Sequence, residues 1–333
     1  MKILVAGSGG WGTALALVLL KNGNQVSLWS YCQEESENLA KTLRNPFLPG
    51  VELPAEMDFT FSCQAAAHAD MVVFATPSFA VRSTAKSFLP YLRPDAVLVC
   101  VTKGIEQGSG YCMSQVIEEE TGRTVVALSG PSHAEEVSRG IPTGVVAACR
   151  DKALAERVQA TFMRETLRVY TCPDTLGVEL GAAHKNVIAL CAGVCDGMGY
   201  GDNTKALLMT RGLAELARLG MAMGAKRETF AGLAGVGDLI VTCTSMHSRN
   251  RRAGILIGKG YGAREAMKEV GAVVEGYYAA KSAWELAGKY GVEMPITQAA
   301  YEVLYEGKDP HDAINNLMLR QKTSEVEDAA WAR

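Results

Sequence analysis

The sequence lacks the features that mark several large classes of protein. Its 333 residues include 33 Lys and Arg against 36 Asp and Glu, so it has none of the basic excess typical of nucleic-acid binders. Nine cysteines are present without a C-x-x-C pair, and no metal-ligand spacing appears, so we expect reduced thiols and no metal site. The apolar run Val187–Val194 is too short to span a membrane. The run from Ile3 stops at Gly7, too early for a secretory segment. These absences predict a cytoplasmic protein that is not membrane-embedded.

The composition itself is that of a folded globular protein, with 48% hydrophobic and 21% charged residues. A chain of this length is more naturally divided between two domains than folded around one core. In the first half, short apolar runs alternate with helical segments, which indicates a parallel sheet covered on both faces. The predicted strands are Ile3–Ala6, Val26–Trp29, Met71–Ala75, Ala96–Val101 and Val125–Leu128, with Gly144–Ala148 and Leu167–Tyr170 as two candidates at the far edge.

A glycine-rich turn follows the first predicted strand. Gly7-Ser8-Gly9-Gly10-Trp11-Gly12 fits G-x-G-x-x-G, and a helical segment begins directly after it. In a dinucleotide site Gly7 would make the tight turn, Gly9 would let the backbone approach a pyrophosphate, and Gly12 would let helix pack on strand. The free N–H groups of the helix N-terminus would face the phosphates. The motif therefore predicts a dinucleotide cofactor and a Rossmann-type fold.

The pattern changes near residue 172, where strand signals fade and amphipathic helices take over. We therefore predict an α/β fold with a dinucleotide-binding domain of doubly wound, mostly parallel sheet at 1–172, followed by an all-helical substrate domain at 173–333. The predicted helices are Leu176–Cys195, Asn203–Met223, Arg249–Ile257, Glu275–Lys289 and Ile296–Tyr305.

Two lysines are candidates for chemistry. Lys103 follows the strand Ala96–Val101, at the carboxyl edge where open parallel sheets bind ligands. Lys185 lies on an otherwise apolar helix after the small residues Gly181, Ala182 and Ala183, which allow close approach. Burial and a second lysine both favour the neutral amine, which suits a lysine to acid–base chemistry near neutral pH.

Two further segments supply polar groups that a substrate would need. Asp238 could accept hydrogen bonds from a substrate hydroxyl or from Lys185. The triplet Ser248-Arg249-Asn250 opens a predicted helix, where an arginine fork and backbone N–H groups could hold a phosphate. The loop that follows Val125–Leu128 begins Ser129-Gly130-Pro131-Ser132, and its hydroxyl and backbone groups would face the same crevice.

Together these segments resemble one family, the NAD(P)-dependent glycerol-3-phosphate dehydrogenases, particularly the bacterial branch. The resemblance extends from Ile3 to about Lys308. It rests most specifically on Gly181-Ala182-Ala183-x-Lys185-Asn186, Thr210-Arg211-Gly212-Leu213-Ala214-Glu215, Gly237-Asp238-Leu239 with Thr242-Cys243-Thr244, Ser248-Arg249-Asn250-Arg251-Arg252, Val273-Val274-Glu275-Gly276-Tyr277 and Glu293-Met294-Pro295-Ile296.

The resemblance implies a role for each matching residue. It makes Lys185 the catalytic acid/base and implies that Lys103 and Arg249 also lie near the cofactor. The positions that it assigns to glycerol 3-phosphate are Lys103, Gly130, Ser132, Asp238, Ser248, Arg249 and Asn250. The positions that it assigns to the cofactor are Gly10, Trp11, Tyr31, Ala134, Val273 and Glu275. It also implies a cytoplasmic role in supplying glycerol phosphate for phospholipid synthesis.

Three residues depart from the family pattern. Tyr31 stands where many bacterial members carry arginine or histidine, Gly10 replaces a serine, and His184 replaces an apolar residue. His184 points about 100° away from Lys185 on a helix, so we interpret it as a packing residue. The end of the second strand has neither the acid of an NAD site nor an arginine for a 2′-phosphate. The choice between NAD and NADP stays open at this stage.

Two other functions fit parts of the sequence. A hydroxyacid or ketopantoate-type reductase pairs a dinucleotide fold with a helical domain and a lysine, but it does not need the Ser248-Arg249-Asn250 triplet. A nucleotide-sensing regulator would not need Lys103, Lys185 and Asp238 together. We therefore predict a glycerol-3-phosphate dehydrogenase that acts on a small-molecule substrate, with a symmetric homodimer as the default assembly.

Overall fold

The protein folds around one mixed sheet followed by a helical region, as seen in a computed structural model that describes residues 1–325. Short apolar runs form the central strands because both faces of the sheet are buried there, so these strands are buried at every position. The eight strands are β1 (Lys2–Ala6), β2 (Gln25–Trp29), β3 (Asp58–Thr60), β4 (Met71–Phe74), β5 (Val97–Cys100), β6 (Val125–Ser129), β7 (Thr143–Ala148) and β8 (Leu167–Cys172).

The strand order is β3-β2-β1-β4-β5-β6-β7-β8. Strands β1 to β6 pair in parallel, β7 pairs antiparallel with β6, and β8 pairs in parallel with β7. Successive strands are therefore added on one side of β1 up to β3 and on its other side from β4 onward. At such a switch point between β1 and β4, a crevice opens at the carboxyl ends of the strands. The predicted sheet and its two edge strands are confirmed.

The short strand β3 is missing from the sequence-based prediction. Its three residues, Asp58, Phe59 and Thr60, carry no apolar run and begin with an acid. They form a strand because β2 offers them an open edge, with Ser27, Leu28 and Trp29 as pairing partners. Edge pairing of this kind depends on tertiary context rather than on local composition.

Helices cover the sheet and make up most of the chain after it. Those in the sheet region are α1 (Gly10–Lys21), α2 (Gln33–Thr42), α3 (Val81–Phe88), α4 (Met113–Thr121), α5 (Ala134–Ser138) and α6 (Lys152–Phe162). Those that follow are α7 (Thr175–Gly197), α8 (Asp202–Ala222), α9 (Arg227–Phe230), α10 (Asp238–Thr244), α11 (Arg249–Gly258), α12 (Ala263–Val270), α13 (Glu275–Tyr290), α14 (Pro295–Tyr301) and α15 (Pro310–Met318). Between residues 173 and 325 no strand occurs. The predicted helix Ile296–Tyr305 differs in one respect, since its last turns, Glu302–Glu306, form a π-helix.

Helix α7 is the core of the helical region. Glycines let its neighbours approach closely: a Cβ on Gly193 would lie 2.1 Å from the carbonyl oxygen of Arg251, and one on Gly254 would lie 2.0 Å from that of Leu190. Of the described residues, α7 is the single unbroken helix long and apolar enough to cross a membrane, although the sequence run inside it is short. Because 94% of its most apolar window is buried by the rest of the protein, α7 has the surroundings of a core helix.

Candidate active site

The predicted site residues of the first region lie at the carboxyl edge of the parallel strands. Gly7 follows β1, Tyr31 follows β2, Lys103 follows β5 and Gly130 follows β6. Since parallel strands end at the same edge, tertiary folding brings these loops side by side.

The glycine turn has three different local geometries. Gly7 has φ of +132°, and a Cβ there would lie 2.6 Å from the carbonyl oxygen of Ala75. A Cβ on Gly12 would lie 2.0 Å from the carbonyl oxygen of Gly7. Gly9 differs from both, because a Cβ on it would meet nothing within 4 Å. The turn is therefore tightly packed at its two ends and open at its middle glycine.

The residues of this turn fit a dinucleotide phosphate. Gly9 is the N-cap of α1. Because glycine has no side chain, the helix start has no side-chain capping hydrogen bond, and the first turn carries no acidic residue. A helix end of this kind presents unpaired N–H groups and positive partial charge to an anion. The neighbouring loop also closes on the turn, since Asn45 donates from Nδ2 to the Ser8 carbonyl oxygen at 2.7 Å.

Buried polar atoms without a partner concentrate at the same edge. Eight such side-chain atoms occur in residues 1–325, and five of them belong to residues at or just after the carboxyl ends of β1, β2, β4 and β6: Trp11, Ser30, Thr76, Ser129 and His133. Buried polar groups are nearly always hydrogen-bonded in native proteins. A polar ligand at this edge would account for the concentration.

Lys185, Lys103 and Asp238 come together across the boundary between the sheet and the helices. Lys185 donates from Nζ to Asp238 Oδ1 at 2.6 Å and to Thr242 Oγ1 at 2.5 Å. Lys103 donates from Nζ to Asp238 Oδ2 at 2.8 Å. Asp238 is 1% exposed, so its carboxylate is a buried counter-charge shared by two ammonium groups. We name these three residues the charge cluster.

The surroundings of Lys185 tune its protonation. Burial lowers its pKa to about 8, the Asp238 carboxylate opposes that effect, and the charge of Lys103 adds to it. An amine with this pKa is mostly protonated at neutral pH yet releases its proton far more readily than an ordinary lysine. The predicted close approach beside Lys185 is also present, since a Cβ on Gly181 would lie 2.5 Å from the Ala234 carbonyl oxygen.

The loop after β6 adjoins both the charge cluster and the glycine turn. The carbonyl oxygen of Gly130 accepts from Lys103 Nζ at 2.9 Å and from Ser132 Oγ at 2.9 Å. Where the loop ends and α5 begins, a Cβ added to Gly10 would lie 3.7 Å from the Cβ of Ala134. Through this loop, the predicted cofactor and substrate positions are continuous.

The Ser248-Arg249-Asn250 triplet opens α11 as predicted. Ser248 Oγ accepts from Arg251 N at 3.2 Å and so caps the helix, while the side chain of Arg249 is exposed. Asn250 is tied into the protein: its Nδ2 donates to Asn186 Oδ1 at 2.9 Å, and its Oδ1 accepts from Gly276 N at 2.8 Å. Asn250 therefore fixes the start of α11 beside the residue that follows Lys185.

Glu275, at the start of α13, reaches the sheet. Its carboxylate accepts from Ser78 N at 3.2 Å and Ser78 Oγ at 2.7 Å, in the loop after β4. Burial raises its pKa, opposed by these Ser78 hydrogen bonds and by the charge of Arg249.

Val273, also predicted to contact the cofactor, is partly buried just before the helix. Tyr31 is 89% exposed, with its ring at the edge of Trp29.

Sequence reasoning missed several residues that hold this site together. Thr242 accepts a hydrogen bond from Lys185. It lies four residues after Asp238 on the same helix, and that spacing was the signal that could have found it. Ser78 carries no motif of its own, and Asn186 was quoted only as the end of a family motif, without a role. Glu35 was passed over because it lies beyond the end of β2, yet its Oε1 accepts from Ser8 Oγ at 2.6 Å. His184 packs as expected, with Nε2 3.2 Å from Thr297 Oγ1.

The fold and the site together define a nicotinamide-dependent dehydrogenase. Residues 2–155 match the family model described as NAD-dependent glycerol-3-phosphate dehydrogenase N-terminus, and residues 174–315 match the corresponding C-terminus model. The chain is 54% identical over 337 residues to glycerol-3-phosphate dehydrogenase [NAD(P)+] of Pelotomaculum thermopropionicum, covering 99% of this chain and 97% of the relative. It is 53% identical over 332 residues to the protein of the same name from Moorella thermoacetica, covering 99% of each.

A solved structure agrees with the sequence comparisons. The glycerol-3-phosphate dehydrogenase of Coxiella burnetii superposes with a TM-score of 0.92 at 35% identity, covering 96% of this chain and 99% of that one. The chain belongs to the NAD-dependent glycerol-3-phosphate dehydrogenase family. The predicted family, the fold class, the NAD(P)-dependent dehydrogenase activity and the nicotinamide cofactor are thereby confirmed, and neither the reductase nor the sensor hypothesis remains favoured.

Proposed function

We propose that the chain catalyses the reversible transfer of a hydride between NAD(P)H, which supplies it when bound, and dihydroxyacetone phosphate, giving sn-glycerol 3-phosphate. The observation that carries this proposal is the charge cluster. A buried lysine with lowered pKa, paired through one carboxylate with a second lysine, lies at the sheet edge beside an open glycine turn. Reduction of a ketone needs a proton donor at that place, because negative charge develops on the carbonyl oxygen.

Lys185 acts as the acid in reduction and as the base in oxidation. Its protonated amine stabilises the developing charge on the carbonyl oxygen and gives it the proton. Lys103 adds a second positive charge and orients that oxygen. Asp238 holds both amines in place, which fixes their geometry before the substrate arrives.

The start of α11 holds the substrate phosphate. The exposed guanidinium of Arg249 offers a charged fork, and the first-turn N–H groups of the helix add donors. Ser248 caps that turn, and the second hydrogen of Asn250 Nδ2 would be donated to the substrate. Gly130 and Ser132 border the substrate on its other side, where the Gly130 carbonyl oxygen accepts hydrogen bonds from Lys103 and Ser132. Holding the phosphate fixes the ketone in position, which supplies the entropic part of the rate.

The cofactor lies along the carboxyl edge of the sheet. The residues proposed to hold it are Gly7, Gly9, Gly10, Trp11, Gly12, Tyr31, Lys103, Ala134, Arg249, Val273 and Glu275. The glycine turn and the uncapped start of α1 support a position for the cofactor phosphates at this helix end. The unpartnered Trp11 Nε1 supports a polar ligand beside them.

Several broader predictions belong to the same proposal. The chain divides into a dinucleotide-binding domain at 1–172 and a helical substrate domain at 173–333, of which residues 326–333 lie outside the described part. The last strand, which ends at Cys172, supports that boundary. The enzyme works in the cytoplasm as a homodimer, without binding nucleic acid or entering a membrane, and its product feeds phospholipid synthesis.

The reaction is tested by following the oxidation of NADH and of NADPH with dihydroxyacetone phosphate and with unphosphorylated dihydroxyacetone. Fast turnover with the phosphorylated ketone alone is expected. Absence of turnover with both ketones, from folded protein shown to bind the cofactor, would contradict the proposal.

A further inference from the structure

The cofactor's adenosine end must be recognised near the end of β2, where dinucleotide folds distinguish NAD from NADP. An acid there accepts hydrogen bonds from the two ribose hydroxyls of NAD, whereas a basic residue pairs with the 2′-phosphate of NADP. In this sequence the strand ends in Trp29 and continues Ser30-Tyr31-Cys32, with neither type of residue.

Tertiary structure supplies the acid from farther along the chain. Glu35 lies in the first turn of α2, and that helix turns it back toward the glycine turn. Its Oε1 accepts from Ser8 Oγ at 2.6 Å, and Ser8 is 5% exposed between Gly7 and Gly9. A carboxylate from the second βα unit is thereby held directly on the phosphate-binding turn.

The pair leaves acceptor capacity for a ligand. A carboxylate has two oxygens, and within residues 1–325 Ser8 is the hydrogen-bond partner of the Glu35 side chain through Oε1 alone. Close by in the chain, Ser30 Oγ is buried without a partner, in a residue that is 0% exposed one position past β2. An acceptor and an unpaired hydroxyl at the strand end match the donors and acceptors of a ribose diol.

The local charge disfavours a phosphate. Residues 22–40 contain Glu34, Glu35 and Glu37 and no Lys, Arg or His. A 2′-phosphate carries nearly two negative charges and only accepts hydrogen bonds, so beside Glu35 it meets repulsion, and this segment offers it no donor fork.

We propose that Glu35, positioned by Ser8, accepts the adenosine ribose hydroxyls of the cofactor and makes this enzyme select NAD(H) over NADP(H). The inference rests on the proposed function only in requiring a nicotinamide dinucleotide on the glycine turn. It assigns a specificity-determining role to a residue that the end of β2 does not reveal.

The experiment measures the dissociation constants of NADH and NADPH by calorimetry on the full-length protein, without substrate. We expect the wild type to bind NADH at least ~10-fold more tightly than NADPH, the difference of about one charge-assisted hydrogen bond. Glu35→Gln should weaken NADH and reduce the preference several-fold. The matched control, Glu34→Gln, removes the same charge from an exposed neighbour and should leave the preference within about twofold.

Ser8→Ala is the second variant, and it keeps the carboxylate while removing its holder. It should weaken NADH binding by a smaller factor than Glu35→Gln and leave NADPH unchanged, so it serves even where Glu35→Gln fails to fold. Equal or tighter binding of NADPH by the wild type, or an equal effect of the two glutamate variants, would overturn the inference.

Failure of this inference is distinguishable from failure of the proposed function. Turnover of dihydroxyacetone phosphate with NADPH preferred would overturn the cofactor selection and leave the reaction standing. Tighter binding of NADH without turnover of that ketone would support the selection and contradict the reaction.

Discussion

The two halves of the proposed active site differ in the groups that form them, backbone in one half and side chains in the other. The glycine turn after β1 uses backbone, with close packing at Gly7 and Gly12 and open space at Gly9. The charge cluster uses side chains from the loop after β5 and from α7 and α10, held by ion pairs of 2.6 and 2.8 Å. A backbone site needs small residues next to one another in sequence, whereas a side-chain site needs only that distant residues meet in space. The first half is therefore visible as one motif, and the second is visible only as separate fragments.

The largest expected effect lies in the side-chain half. Lys185→Met keeps the length of the side chain but removes the proton donor, so turnover with dihydroxyacetone phosphate should fall by roughly 10²–10⁴-fold. NADH binding and the circular dichroism spectrum should remain near those of the wild type.

A matched control is available for this substitution. Lys205 is also an ion-paired lysine, 2.7 Å from Asp196, but it lies outside the charge cluster. Lys205→Met should keep turnover within a few-fold. Near-normal turnover of Lys185→Met, or equal losses in both variants, would rule out the acid/base role.

The next effect should appear in substrate binding. Arg249→Ala removes a charge-assisted contact to the phosphate, so KM for dihydroxyacetone phosphate should rise by about 10–100-fold with a smaller change in kcat. Arg252, which is also exposed and lies one turn farther along α11, provides the control Arg252→Ala. Steady-state kinetics that show an unchanged KM for Arg249→Ala would count against the phosphate site.

The backbone half is tested by two alanines with different expected readouts. At Gly9 a Cβ meets no protein atom within 4 Å, so Gly9→Ala should keep thermal stability but weaken NADH binding by about 10-fold, through the space that the pyrophosphate needs. At Gly12 a Cβ would meet the Gly7 carbonyl oxygen at 2.0 Å, so Gly12→Ala should lower the free energy of unfolding by ~1–3 kcal/mol. If both variants lost stability without a specific loss of binding, the open middle glycine would have no role toward the cofactor.

The smallest expected effect concerns pH and sharpens the role of Asp238. Because the reductive step needs protonated Lys185, kcat should fall as the pH rises through about 8, the pKa to which burial lowers this amine. Asp238 favours the charged amine, so Asp238→Asn should move that midpoint downward by about one pH unit, along with a loss of rate. A profile of kcat against pH whose midpoint stays fixed or moves upward would show that another group titrates.

How much the sequence predicted differs between fold and site. The sequence pattern sufficed to find β1, β2 and β4 to β8, most of them as apolar runs bounded by turns. Strand β8 instead alternates, with Leu167 and Val169 buried and Arg168 and Tyr170 exposed. The strand β3 escaped because an edge strand of three residues draws its stability from its neighbour β2. The lysines Lys103 and Lys185 were visible as candidates, but their meeting at Asp238 was not, because the residues lie 53 to 135 positions apart.

The sequence alone determined the periodicity of strands and helices, the glycine turn and the family, because these depend on residues that are neighbours along the chain. Only the tertiary structure decided which polar groups share a partner. It placed one carboxylate between two lysines, tied Glu275 to Ser78, and returned Glu35 to Ser8 across 27 positions of sequence. Hydrogen bonds and ion pairs act over a few ångströms whatever the separation along the chain, so a local pattern cannot specify them.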